Sequence, residues 1–189
     1  KPSAVVLPAI LLIVDWAVIT GGLRETLRQR GPMHLAAWAC LSVLFATGAV
    51  GSLWRSDGIA GVGFTQAGST PFDYAVSQLS AAAVYARILV DPSMMSIDHG
   101  PEALQATWTR PVGVTLILAL VGLAIGGLAR HRWWWCLPAT TLLVMIPTSS
   151  IVPLADPLAD HRLHLALLPV IVALVALCRY ALGRLPANA

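Results

Sequence analysis

Three stretches of this chain, 35–54, 112–129 and 133–151, run for eighteen or more residues without one charged side chain. About 20 apolar residues in a helix cross the roughly 30 Å hydrocarbon core of a bilayer. A fourth stretch, 163–178, carries only His164, near its start. A fifth, 4–22, is interrupted by Asp15, which stands late in the window beside Trp16. An acid inside a span is costly unless it lies near an end or has a partner. Trp favours the interface, so this window still reads as a span. The expected fold class is all-α: a polytopic transmembrane helical bundle of about five spans, within a single membrane domain over 1–189.

Composition agrees with that class. Hydrophobic residues make up 57% of the chain and charged residues only 11%, with a mean hydropathy of +0.76. Soluble domains carry about 25% charged residues. The net charge of +3 comes almost wholly from Arg, Lys1 being the only Lys. There is no basic run with interleaved aromatics, so nucleic acid is not an expected partner. Cys40, Cys136 and Cys178 each fall in an apolar run and form no CxxC pattern, so they read as small buried residues. The first residue is Lys and no signal peptide is recognisable, which reads as a processed chain or a fragment.

Charge asymmetry orients the spans. Residues 21–33 carry Arg24, Arg28 and Arg30; residues 130–132 carry two Arg and His131; the tail carries Arg179 and Arg184. The intervening connections are acidic or balanced: 55–74 has one Arg and two Asp, 91–111 three acids and one Arg, and 148–162 two Asp and one Arg. The positive-inside rule places the first set in the cytoplasm and the second outside. By parity, the segment between 54 and 112 cannot cross once. Within it, 72–91 reads as an external amphipathic helix, at the outer surface or packed on the bundle, with Pro71 and Pro92 at its ends. Asp73, Ser77, Ser80, Arg87 and Asp91 form its polar face, with Val84 the apolar exception; Phe72, Ala75, Leu79, Ala82, Ala86 and Val90 lie opposite.

Three polar clusters then share the outer side. Arg87 and Asp91 are i,i+4 partners on the amphipathic helix, an ordinary surface ion pair by spacing. Asp98, His99 and Glu102 sit in a turn-rich segment with Gly100-Pro101. The third cluster is "TSSIVPLADPLADHRLHLALL", 148–168. Pro147, Pro153 and Pro157 prevent a regular helix before 158. Three readings of the stretch stand side by side. Asp156 or Asp160 could cap the following helix. His161 and His164 have a spacing compatible with zinc, although no third ligand is evident. Arg162 could hold a lipid phosphate or pyrophosphate, for which a permanently charged, bidentate donor is suited. Trp133-Trp134-Trp135, after Arg130-His131-Arg132, reads as a cytoplasmic interfacial anchor.

These residues resemble a family. "TSSIVPLADPLADHRLHLAL" is similar to the motif before the last spans of bacterial membrane proteins related to transmembrane and tetratricopeptide-repeat O-mannosyltransferases. "KPSAVVLPAILLIVDW" and "STPFDYAVSQLSAAAVYARILVDPSMMSIDHG" resemble two further blocks of that family in the same order. Asp160 stands where the family has Glu, His164 where it has Tyr, and Pro2 where it has Glu after Lys. The resemblance implies part of a C-type glycosyltransferase fold, with its active site on the extracytoplasmic side of what would be a bacterial inner membrane. It implies a polyprenyl-phosphate-linked, mannose-like sugar as donor and protein Ser or Thr as acceptor. The family's catalytic acid lies in an earlier external loop, which would precede residue 1.

Negative charge develops on a departing lipid phosphate, and a fixed Arg there stabilises the transition state. Arg162 is the first candidate and Arg87 the second. Asp98, Asp160 and His161 are the available acid–base groups for an acceptor hydroxyl. No cofactor and no metal site is assigned by these residues. The competing expectation is a non-catalytic scaffold or polyprenyl-lipid-binding module. A transporter is disfavoured, because the polar groups crowd at one surface rather than at mid-depth.

Overall fold

A computed structural model describes residues 5–47, 70–96, 99, 102–147, 158 and 163–182. The described regular structure is entirely helical. Helix α1, Leu7–Val14, continues without a break as a π-helical segment, Asp15–Thr20. Gly21, in the left-handed region at φ 72°, and extended Gly22 turn the chain into α2, Leu23–Ala46. A side chain at Gly21 would meet no neighbour within 4 Å, so backbone conformation alone favours glycine there. The Thr20 and Thr26 hydroxyls hydrogen-bond to each other, and Thr26 also donates to the Gly22 carbonyl at 3.0 Å. Farther from the turn, Asp15 meets His34. The nested contacts make α1 and α2 an antiparallel hairpin.

Helix α2 begins twelve residues ahead of the apolar stretch at 35, so the expected loop over 21–33 is largely helix. Arg24, Arg28 and Arg30 ride on its first turns, and Glu25 pairs with Arg28 at 3.0 Å. Arg, Glu, Gln and Leu are good helix formers, and the helix extends well beyond the apolar segment. Pro32 is accommodated inside it.

Helix α3, Pro71–Val90, matches the expected amphipathic helix within a residue at each end. Thr70 and Asp73 form a reciprocal capping box, and Pro71 occupies the first turn, where a missing N–H costs nothing. Its expected apolar face is corrected. Phe72 and Val90 are 76% and 87% exposed, whereas Tyr74, Gln78, Ala81, Tyr85 and Ile88 are buried. That stripe, at alternating four- and three-residue intervals, faces the protein. Of the two expected settings for this helix, packing on the bundle holds: α3 makes its most extensive contact with α5, Thr109–Ala129. Gly113 allows the approach, because a Cβ there would lie 1.6 Å from the Leu79 carbonyl oxygen.

A short 3₁₀ turn, Pro92–Met94, and the single-turn α4, Glu102–Gln105, connect α3 to α5. Helix α5 is 21 residues long, about 31 Å by helical rise, and is long and apolar enough to cross a bilayer. It ends with His131 at φ 51°, where His131 N–H donates to Leu128 O and Arg132 N–H to Gly127 O. This Schellman pattern occupies two otherwise unpaired helix carbonyls. Trp133–Trp135 forms a 3₁₀ turn leading into α6, Cys136–Met145. Trp133 is exposed, but Trp135 is buried against Ala17 and edge-on to Trp16 at 4.8 Å. Helix α7 spans Leu163–Leu182 and packs on α6. Leu7–Thr20, Trp133–Met145 and Ala166–Tyr180 are apolar but shorter than a full span among the described residues. Much of the outer surface of α2, α5 and α7 is apolar, including Leu35, Val43, Leu118, Ile125, Leu174 and Leu177.

Two ends emerge from these contacts. Trp16–Trp135 and the packing of Gly127 against Trp134 and Trp135 gather Arg24, Arg28, Arg30, Arg130 and Arg132 toward one end. The α3–α4 region and the start of α5 lie toward the other.

Candidate functional site

Helix α3 supplies Arg87 in its last turn, where a cation complements the negative helix end. Its guanidinium lies 5.7 Å from the centre of the Trp108 ring. That distance suits a cation–π contact, which holds the charge in place while leaving its donors free. The expected Arg87–Asp91 pair does not form. Asp91 instead accepts from the Ser93 amide at 3.2 Å and from its hydroxyl, closing the turn after α3. Trp108 is fixed from inside the fold. The buried Thr109 hydroxyl reaches the carbonyls of Ala106 at 2.7 Å and Leu104 at 3.2 Å, which pins the turn carrying Trp108.

Arg87 and Trp108 share a hollow of about 140 Å³ with His99, Val84, Ile88 and Met94. That is room for roughly four or five waters, on the scale of a phosphoryl group rather than a whole sugar-lipid. Across Ala106 lies a more open cleft of about 680 Å³, lined by Asp73, Ser77, Ser80, Thr107 and Arg110 among others. Its volume falls in the range of small-molecule sites. Asp73 is engaged by the Thr70 hydroxyl at 2.6 Å. Arg110 is exposed on the first turn of α5 and faces the cleft.

Four of the five sequence-selected site residues, Asp98, Asp160, His161 and Arg162, lie outside the described residues. The backbone of His164 is in the first turn of α7. Leu158 itself is described and packs on α3. Leu158 is fully buried in a cluster with Ala81, Val84, Tyr85 and Ile88. Val84 and Ile88 also wall the Arg87 hollow. Arg162 follows Leu158 by four residues in the chain. Among the described residues no group of three His, Cys, Asp or Glu gathers as metal ligands.

The sequence reading missed two features. Trp108 carried no signal beyond its place ahead of an apolar run. The second is a buried polar group at the basic end. His34 Nε2 is 2.9 Å from Asp15 Oδ2, with both side chains only 3–4% exposed. Arg30 stands 3.6 Å from the other carboxylate oxygen. Which of the two donates is set by the His34 tautomer. Asp15 in an apolar window did signal the need for a partner. The partner lies nineteen residues on, in α2, beyond the Gly21-Gly22 turn.

No protein-family model, curated protein or solved structure matches the chain.

Proposed function

We propose that the chain is a polytopic bundle in a bacterial inner membrane, forming part of a glycosyltransferase. It uses a polyprenyl-phosphate-linked, mannose-like sugar and glycosylates protein Ser or Thr on the extracytoplasmic face. The observation that carries the reading is the Arg87–Trp108 pair at the edge of an apolar hollow. A guanidinium mounted on an aromatic ring, with donors free, suits the phosphate of a lipid whose chain lies along the exposed apolar faces. Leu158, four residues before Arg162 in the chain, is buried against Val84 and Ile88, which wall that hollow. The gathering of basic residues at the opposite end supports the outward orientation.

In this reading Arg162 and Arg87 take the charge that develops on the departing lipid phosphate; the base for the acceptor's proton belongs to the family's earlier external loop, with Asp98, Asp160 and His161 as understudies. In a transfer assay on the full-length protein with a labelled polyprenyl-phosphate sugar, Arg162→Ala abolishes transfer while membrane insertion stays normal. Arg87→Ala lowers it at least tenfold. Near-normal turnover of both variants contradicts the phosphate-clamp role.

A second reading, a non-catalytic lipid-binding module, has one observation in its favour. Asp73 and Asp91, the described carboxylates of α3 and its C-cap, are both engaged in capping. Under that reading the protein binds the lipid phosphate but transfers no sugar.

A further inference from the structure

We propose that the cleft between α3 and the start of α5 holds the headgroup of a zwitterionic phospholipid, with the phosphate at Arg110 and the ammonium at Asp73. The site lies across Ala106 from the Arg87 hollow. It rests on the membrane setting of the proposed function and not on sugar transfer.

The first support is the arrangement of charge. The cleft, of about 680 Å³, is lined by one carboxylate, Asp73, and one guanidinium, Arg110. Neither makes an ion pair with the other or with any described residue. Two opposite charges that face one space without pairing offer a pole to each end of a zwitterion. The helix cap occupies only Oδ2 of Asp73, which accepts from the Thr70 hydroxyl at 2.6 Å and its amide at 3.4 Å. Oδ1 is left to accept from an ammonium in a charge-assisted bond. Arg110 is exposed on the first turn of α5, which contains no acid, and the positive end of that helix adds to its field. A guanidinium there suits a phosphate, which it binds through two parallel donors.

The second support is Ser80. Its side chain lines the cleft although the residue is only 2% exposed, and its hydroxyl makes no hydrogen bond with the described residues. Buried hydroxyls are ordinarily paired. Its neighbour Ser77 donates to the Tyr74 carbonyl at 2.7 Å. The Ser80 hydroxyl is therefore a fixed donor with its partner still to come, and a phosphate oxygen in the cleft supplies one.

The third support is place. Helix α5 is long and apolar enough to cross a bilayer, and Arg110, on its first turn, stands at headgroup level when it does. Val76, Leu104 and Pro111 give the cleft an apolar wall, against which the glycerol and first acyl carbons of a lipid lie. A soluble zwitterion carries the same two charges but makes no use of that wall.

The test measures equilibrium binding of labelled short-chain phosphatidylethanolamine to the full chain in detergent micelles. Phosphatidylcholine of the same chains is the comparison, because its ammonium has no N–H to donate. Wild type is expected to favour the ethanolamine lipid about tenfold, as for one charge-assisted hydrogen bond. Asp73→Asn keeps an oxygen for the helix cap and is expected to bring the two lipids to equal affinity. Arg110→Gln weakens both at least tenfold, Ser80→Ala weakens both several-fold, and Arg87→Gln leaves both unchanged. Soluble phosphoethanolamine displaces the lipid only at roughly a hundredfold higher concentration, since it buries no acyl carbons. Equal affinity of wild type for the two lipids overturns the proposal, as does binding that Arg110→Gln leaves intact. Loss in Arg87→Gln without loss in Arg110→Gln overturns this site while leaving the proposed function standing. Displacement by soluble phosphoethanolamine at equal concentration overturns the lipid assignment in favour of a soluble zwitterion.

Discussion

Asp15→Ala is expected to destabilise the folded bundle by about 3 kcal/mol, at the low end of the ~3–5 kcal/mol for breaking a buried ion pair. The variant leaves the His34 ring buried with neither nitrogen paired. Arg30, already half-exposed, can turn to solvent, which keeps the effect from being larger. Asp15→Leu combined with His34→Leu removes both partners and should recover most of the loss, since an apolar pair leaves nothing unsatisfied. Denaturant titration of wild type, Asp15→Leu, His34→Leu and the double variant in one micelle composition checks this. Additive losses in the double variant would show that the contact is incidental.

Gly113→Ala is expected to cost about 3 kcal/mol, the upper part of the usual range for overpacking. The added Cβ would fall 1.6 Å from the Leu79 carbonyl oxygen and 2.7 Å from its carbon. Both atoms are backbone, so no side chain can swing aside. Helix α3 must lift from α5, which carries Arg87 away from Trp108 and opens the hollow. The same substitution at Gly122, where nothing lies within 4 Å, should stabilise α5 by up to about 1 kcal/mol through helix propensity. Equal thermal stabilities for the two variants would contradict the close α3–α5 contact.

The reach of the sequence differs from element to element. The ends of α3 were readable because Pro71 and Pro92 act through local geometry. Its buried face was not. In an Ala-rich helix the polar and apolar sides differ little, and the buried stripe includes Gln78 and two tyrosines. Phe72 and Val90 sit near the ends of α3 and are exposed, so hydrophobicity misdirects there. The start of α2 was misread for a different reason. Charge interrupts an apolar stretch without ending a helix, and Arg24 to Arg30 are as helical as the apolar residues that follow. Arg87 was identified by residue type and location, but its partner was misjudged. Asp91 is nearer in sequence, yet Trp108 is presented by a turn that Thr109 holds from within. The Asp15–His34 pair spans nineteen residues and depends on the Gly21-Gly22 turn, a tertiary fact that composition does not contain.

The claim that the Arg87 hollow receives a lipid phosphate is tested most directly by equilibrium binding of polyprenyl phosphate to the purified protein in nanodiscs of neutral lipid. Wild type is compared with Arg87→Gln, and the unphosphorylated polyprenol serves as the control ligand. Wild type is expected to prefer the phosphate over the alcohol, and Arg87→Gln to lose at least tenfold in affinity for the phosphate alone, as for one charge-assisted contact. Equal affinity of the two proteins for polyprenyl phosphate would contradict the claim.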